Sequence, residues 1–283
     1  MTPPFRLTLP APAKLNLFLH ITGRRPDGYH TLESLMVPID RADFITLALR
    51  EDGGVTRTHG AGGVAADDDL AVRAARLVQR ECAVAAGVAI GVDKRIPIGA
   101  GLGGGSSDAA TVLLGLNRMW QLALSRERLM ELALMLGADV PFFVFGEPAF
   151  ARGVGENLQV CSVPPTWFVV VTPPIQVSTS DIFAAPELTR NSESAKMLVF
   201  SEGYGRNDLQ PPAVARFQEI ADALDALRGV ASEAETRMTG SGACVAASFA
   251  NEQTAQRALS QLPPAMTGFV ARALDRHPLW SFA

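Results

Sequence analysis

Short apolar stretches over residues 7–9, 15–21 and 44–49 predict three strands separated by turns. Residues 24–30 (Arg-Arg-Pro-Asp-Gly-Tyr-His) break that pattern, and Asp27-Gly28 is the strongest local turn signal. The period then changes. Leu70, Ala74, Leu77 and Val78 recur at helical spacing and predict a helix over 70–86, followed by a strand over 88–92. A further helix, with Ser106 or Ser107 as its N-cap, runs through Trp120 and turns Ala110, Leu113, Leu114 and Trp120 inward. Another spans 126–136 and stops at Gly137. Pro164-Pro165 and Pro173-Pro174 bracket a strand over 167–172 and place a domain boundary there. Beyond it the pattern predicts a helix over 213–227, a strand over 243–249, a helix over 252–261 and a strand over 268–271. Helices and strands mix without strict alternation, so the fold class is α+β, with domains 1–163 and 164–283.

Composition agrees with two cores. A chain of 283 residues is long for a single domain, and 48% hydrophobic content is enough to fill two. The net charge is −4 with no basic stripe, which argues against nucleic acid as a partner but not against a single bound nucleotide. Cys82, Cys161 and Cys244 are odd in number and far apart, so they read as reduced thiols rather than a disulfide framework or a zinc site. The N-terminal segment is interrupted by prolines, Lys14 and Asn16 and does not read as a signal peptide. No run of about 18 apolar residues exists to span a membrane. The expectation is a cytoplasmic protein.

The chemistry concentrates in Pro97, Ile98, Gly99, Ala100, Gly101, Leu102, Gly103, Gly104, Gly105, Ser106 and Ser107, where five glycines precede a helix. Without Cβ atoms the backbone N–H groups can turn toward a ligand, and the helix start adds unpaired N–H groups and partial positive charge. A phosphate is the guest such a loop suits. The loop contains G-x-G-x-x-G, which alone fits several families. A P-loop requires Gly-Lys-Ser/Thr at its end, whereas this one ends Gly-Ser-Ser. A dinucleotide site wants an acidic residue about 20 positions on, and residues 115–125 hold none. The HRD and DFG motifs of protein kinases are missing.

The continuation Ser106-Ser107-Asp108-Ala109-Ala110 makes the loop resemble the second motif of the GHMP kinases, a superfamily that includes galactokinase, homoserine kinase and mevalonate kinase. Ala13-Lys14-Leu15-Asn16 resembles its N-terminal motif and Thr239-Gly240-Ser241-Gly242-Ala243-Cys244 its C-terminal glycine motif. Gly28-Tyr29-His30-Thr31-Leu32 and Leu136-Gly137-Ala138-Asp139-Val140-Pro141 narrow the likeness to the branch acting on a cytidine diphosphate ester of a methylated tetritol. That branch serves non-mevalonate isoprenoid precursor biosynthesis. The resemblance spans residues 10 to about 272. It implies a two-domain fold with the active site in the cleft between an N-terminal ATP-binding domain and a C-terminal domain. It also implies ATP-dependent phosphorylation of the ester's 2-hydroxyl; ATP brings Mg²⁺, for which the sequence shows no dedicated carboxylate cage and only Ser107 as a candidate ligand. Homoserine or mevalonate as the acceptor, and nucleotide binding without catalysis, are the alternatives.

Phosphoryl transfer needs positioning, charge neutralisation and a group that receives the hydroxyl proton. The resemblance makes Asp139 that base and Lys14 its partner. Read from sequence alone, Asp139 equally suits a helix N-cap and Lys14 a solvent-reaching strand lysine. The resemblance further assigns Lys94 to ATP, Asn16 to the reacting end, Tyr29 and His30 to the cytosine ring, and Thr179 and Phe183 to the cytidine. Relatives carry Asp-Asn-Leu where this chain has Asp68-Asp69-Leu70, so the adenine pocket departs from the pattern at Asp69.

Overall fold

The computed structural model describes residues 5–60, 62–195, 205–231 and 236–283. A long hairpin opens the chain: β1 (Arg6–Arg24) pairs antiparallel with β2 (His30–Arg50) around the predicted Asp27-Gly28 turn. The separate strands expected at 7–9 and 15–21 are one strand. Pro10 and Pro12 do not interrupt it because no other strand pairs with β1 at those positions, whereas farther along the Lys14 and Leu19 N–H groups donate outward to the Leu102 and Arg206 carbonyls. Register shifts at Pro12/Ala13, Asn16/Phe18 and Ile21/Gly23 bend the hairpin so that it reaches two cores. Leu9 and Ala11 enter one, whereas Leu19 and Ile21 enter the other.

β3 (Val55–His59), β4 (Gly87–Asp93), β5 (Ala149–Gly153) and β6 (Asn157–Val160) complete the first sheet in the order β3-β4-β2-β5-β6, with β1 beside β2. One face is covered by α1 (Leu70–Glu81), α2 (Gly104–Met119), α3 (Arg126–Leu134) and α4 (Val140–Phe145). The second sheet is antiparallel, β10-β7-β9-β8, from β7 (Trp167–Val171), β8 (Thr236–Met238), β9 (Val245–Phe249) and β10 (Gly268–Arg272). With it come α5 (Thr179–Phe183), α6 (Gln210–Arg216), α7 (Gln218–Val230) and α8 (Glu252–Ser260). The last residues return to the first half, where Leu279 joins the core beneath α2 and the His277 N–H donates to the Gly146 carbonyl at 2.7 Å.

Several boundaries differ from the pattern. α1 stops at Glu81 rather than 86, because Ala83 adopts φ +51° and the Gln79 amide donates to the carbonyls of Gly53 and Ala86, turning the chain into β4. Alanines at 83, 85 and 86 favour helix locally and carry no stop signal. α2 starts at Gly104, with Gly103 (φ +71°) in the N-cap slot instead of a serine. α2 is also buried around its whole circumference from Ser107 to Asn117, not only along the face of Ala110, Leu113 and Leu114. The predicted strand over 243–249 begins at Val245, because 239–244 forms a tight turn in which the Thr239 N–H donates to the Cys244 carbonyl.

Candidate active site

A cavity of about 570 Å³ lies between the two sheets' layers. Its wall takes residues 97–106 of the glycine loop, Lys14 and Asn16 from β1, Asp139 from the start of α4, and Gly240 and Ser241 from the second half. Gly99, Gly101 and Gly103 all have positive φ. At Gly101 a Cβ would run into the Thr239 carbonyl, and at Gly103 it would come within 2.9 Å of the Phe143 ring. The loop therefore threads between two packed surfaces that only glycine can pass. The Cys244 N–H donates to the Ala100 carbonyl at 3.2 Å, which locks the C-terminal glycine turn to the loop.

Lys14 and Asn16 lie two residues apart on β1 and so share a face. Both are buried. Lys14 Nζ donates to Asn16 Oδ1 at 2.5 Å and stands 3.5 Å from Asp139 Oδ2. Asn16 is in turn oriented by its neighbours: its Nδ2 donates to Ser34 Oγ at 2.7 Å, and its backbone N–H donates to Thr239 Oγ1 at 2.9 Å. Asp139 occupies the N-cap slot of α4, yet its side chain caps nothing. It remains 41% exposed toward the cleft. The N-cap reading of Asp139 thus fails in its side chain, which faces Lys14 instead.

Beneath the loop lies a cluster that the sequence did not announce. Lys94 lines the cavity, but its Nζ donates to Asp43 Oδ2 at 2.5 Å and to Asp108 Oδ2 at 2.7 Å. Asp43 is fully buried and also accepts from the Arg95 and Ile96 N–H groups. Asp108 Oδ1 is buried with no partner. Two buried carboxylates thus share one ammonium, and the less satisfied of them holds a proton more readily. Burial pushes Asp108 up to about 7, with Lys94 opposing and Asp43 reinforcing the rise. For Lys94 burial works against the charge, but Asp108 and Asp43 more than offset it and hold its pKa above the usual lysine value.

The other expected residues divide. Thr179 and Phe183 line the cavity, and Thr179 Oγ1 lies 2.7 Å from Ser241 Oγ. His30 is outside the cavity wall, but its ring centroid is 5.2 Å from that of Phe183. Tyr29 stands apart at the hairpin tip, 64% exposed. Ser107 does not reach the cleft. It is fully buried in the first turn of α2, where its N–H donates to the Gly103 carbonyl and its Oγ has no hydrogen-bond partner among the described residues. Asp69, where the pattern departs, lines the far end of the cavity as the N-cap of α1. Its Oδ1 accepts from the Ala71 N–H and its Oδ2 from Arg57 Nη1 at 2.9 Å, so its charge is balanced locally.

Of the residues missed, Asp108 was visible within the Ser-Ser-Asp-Ala-Ala run. Asp43 and Arg57 are strand residues with no local signal, and only the pairing of β2, β3 and β4 brings them here.

The chain matches the family models described as GHMP kinases N terminal domain, over residues 69–147, and GHMP kinases C terminal, over 184–266. It is 59% identical over 273 residues to a protein of Thiobacillus denitrificans named 4-diphosphocytidyl-2-C-methyl-D-erythritol kinase, covering 96% of this chain and 97% of that one. A protein of the same name from Nitrosospira multiformis is 52% identical, covering 98% and 94%. Among solved structures, a 4-(cytidine 5'-diphospho)-2C-methyl-D-erythritol kinase superposes with a TM-score of 0.81 at 34% identity, covering 94% of this chain and 99% of that one. A homoserine kinase from Cytophaga hutchinsonii shares the fold, with a TM-score of 0.72 at 15% identity over 96% and 95% of the two chains.

Proposed function

This chain belongs to the GHMP kinases, in the branch of the 4-diphosphocytidyl-2-C-methyl-D-erythritol kinases, and from that premise we propose that Lys14 and Asp139 carry its chemistry. It is an ATP-dependent small-molecule kinase that phosphorylates the 2-hydroxyl of 4-diphosphocytidyl-2-C-methyl-D-erythritol. Homoserine and mevalonate kinases share only the fold with it, at 15% and 13% identity.

The observation that carries the assignment is the 3.5 Å approach of Lys14 Nζ to Asp139 Oδ2 beside the glycine loop. In our reading the backbone N–H groups of residues 99–105 hold the ATP phosphates where α2 begins. Asp139 accepts the proton of the 2-hydroxyl as that oxygen bonds to the γ-phosphorus. The bond from the γ-phosphorus to the bridging oxygen breaks, and ADP leaves with the bonding pair. Lys14 offsets the charge on the transferring group and holds the base in place, while its own position is set by Asn16. Thr179 and Phe183 close over the cytidine, with His30 and Tyr29 on its outer side.

Mg²⁺ enters as the counter-ion of ATP. Such an ion is usually held by phosphate oxygens and waters with one or two protein oxygens; among the described residues no group of three or more His, Cys, Asp or Glu side chains is arranged to hold a metal, and no step above is routed through one. Among the described residues no helix is long and apolar enough to cross a membrane. We place the enzyme in the cytoplasm, where ATP and a charged nucleotide ester meet, with its domains divided at 163/164.

Asp139→Asn tests the reading. It should lower kcat by roughly 10²–10⁴-fold, the scale of a general base, with ATP affinity unchanged. An unchanged kcat refutes the role of Asp139. Turnover of mevalonate or homoserine in place of the cytidylyl ester would refute the substrate.

A further inference from the structure

Arg190 lies outside every motif above, in the segment that follows α5. It makes four hydrogen bonds that join the two halves of the base pocket. Nη1 donates to the Leu188 carbonyl at 3.1 Å, and Nη2 donates to the carbonyls of Phe183 at 3.1 Å and Ala185 at 2.7 Å. Nε donates to His30 Nε2 at 3.1 Å, across 160 residues of sequence. The first three bonds fix the turn that carries Phe183, and the fourth fixes a ring that faces it.

The fourth bond has a chemical consequence. A guanidinium has five N–H donors, no acceptor, and does not deprotonate in proteins. His30 Nε2 must therefore be the acceptor, so it carries no proton. A neutral imidazole has one N–H, which must then sit on Nδ1. We propose that Arg190 is a positioning residue that locks His30 in its Nδ1–H tautomer, so that the pocket presents one N–H donor to an acceptor on the pyrimidine edge. This rests on the reading that His30 lies against the cytosine. The charges around the ring agree with a neutral imidazole. Burial lowers the His30 pKa from its ordinary 6.5, and Arg190 and Arg24 lower it further. Phe183, on the remaining side, carries no charge.

A locked donor is a specificity device. A ring free to exchange tautomers can offer either a donor or an acceptor at the same nitrogen, and so accepts either kind of base edge. Holding the proton on Nδ1 leaves an unpaired donor when a base presents its own N–H there, and an unpaired buried donor is costly.

Two measurements test this. In the whole enzyme labelled with ¹⁵N-histidine, the His30 ring should show a protonated Nδ1 and a bare Nε2 at pH 8. A proton on Nε2, or a mixture of tautomers, would overturn the proposal. This reading needs no substrate, so it stands or falls separately from the assigned reaction. If the tautomer is as stated but the cytidylyl ester is not turned over, the functional assignment fails and the lock survives. The second measurement uses Arg190→Leu. With the lock removed, KM for the cytidylyl ester should rise about 3–10-fold at pH 8, the scale of one lost hydrogen bond, with KM for ATP unchanged. That rise should then shrink as pH falls below the pKa that the ¹⁵N spectra of the variant give for His30, because an imidazolium carries a proton on both nitrogens and restores the Nδ1–H. A rise of equal size on both sides of that pKa would mark Arg190 as merely structural, and no rise would show that the donor does not contact the base; either overturns the proposal.

Discussion

Replacing Asp108 by asparagine probes the ionic cluster on which the phosphate loop rests. Burial moves the Asp108 carboxyl from 3.8 to about 7 in the folded chain, whereas the unfolded chain returns it to its ordinary value. Between those limits the folded state holds a proton that the unfolded state has released. The stability this contributes is complete below about 3.8 and is lost as pH rises through 7. From pH 5 to pH 8 the loss amounts to about 2–3 kcal/mol, at 1.36 kcal/mol for each pH unit over which the two states differ by one proton. Asparagine copies the neutral acid in shape and cannot ionise. Relative to wild type, Asp108→Asn should therefore gain about 2–3 kcal/mol between pH 5 and pH 8, on the order of 3–5 °C in Tm for a chain of this size. Calorimetric melts of both proteins in matched buffers measure it. Taking the difference at each pH cancels the titrating groups outside the cluster of Asp43, Lys94 and Asp108, including the buried His20 and His277. A difference that does not change with pH would refute the reasoning and mean that Asp108 stays ionised against Lys94 throughout.

Gly101→Ala places a Cβ against the Thr239 carbonyl at φ +77°, where an L-residue already costs roughly 1–2 kcal/mol. It should raise KM for ATP at least about tenfold and lower Tm, as read by steady-state kinetics and thermal melts. Phe183→Ala should raise KM for the cytidylyl ester about 5–100-fold, the range of one lost stacking contact, and leave KM for ATP unchanged. His277 is pushed down to about 3 by burial, with Arg126 adding to the shift, so the folded chain refuses a proton that the unfolded chain takes. The stability it contributes is present above 6.5 and lost as pH falls toward 3, and His277→Asn should flatten the fall in Tm between pH 7 and pH 4.

Much of the site was legible because its information is local. The glycine loop announces itself through backbone conformation, since three of its glycines adopt φ values that other residues rarely reach. The helix behind it, strands on either side of Lys14 and the turn before His30 follow from periodicity and turn chemistry over a few residues. Where local signals were silent or misleading, contacts distant in sequence decided the outcome. α1 ends at Glu81 because Gln79 binds the carbonyls of Gly53 and Ala86, and α2 is buried all round because β1, β2, α1, α3 and α4 surround it. Ser107 has the composition of a phosphate ligand, yet the helix start at Gly103 turns it into the core.

The sequence by itself determined that a glycine-rich loop opens a helix in α+β surroundings, and its resemblance to a kinase superfamily pointed to Lys14 and Asp139. Only the tertiary structure decided what each side chain is free to do. Lys94 is held by Asp43 from β2 and Asp108 from α2, Asp69 is neutralised by Arg57 from β3, and His30 is oriented by Arg190 from beyond α5. Each of these is a charge or hydrogen-bond partnership between segments 12 to 160 residues apart. Nothing in the spacing of either segment encodes the other, because ionisation and donor state depend on which groups burial brings within about 3 Å.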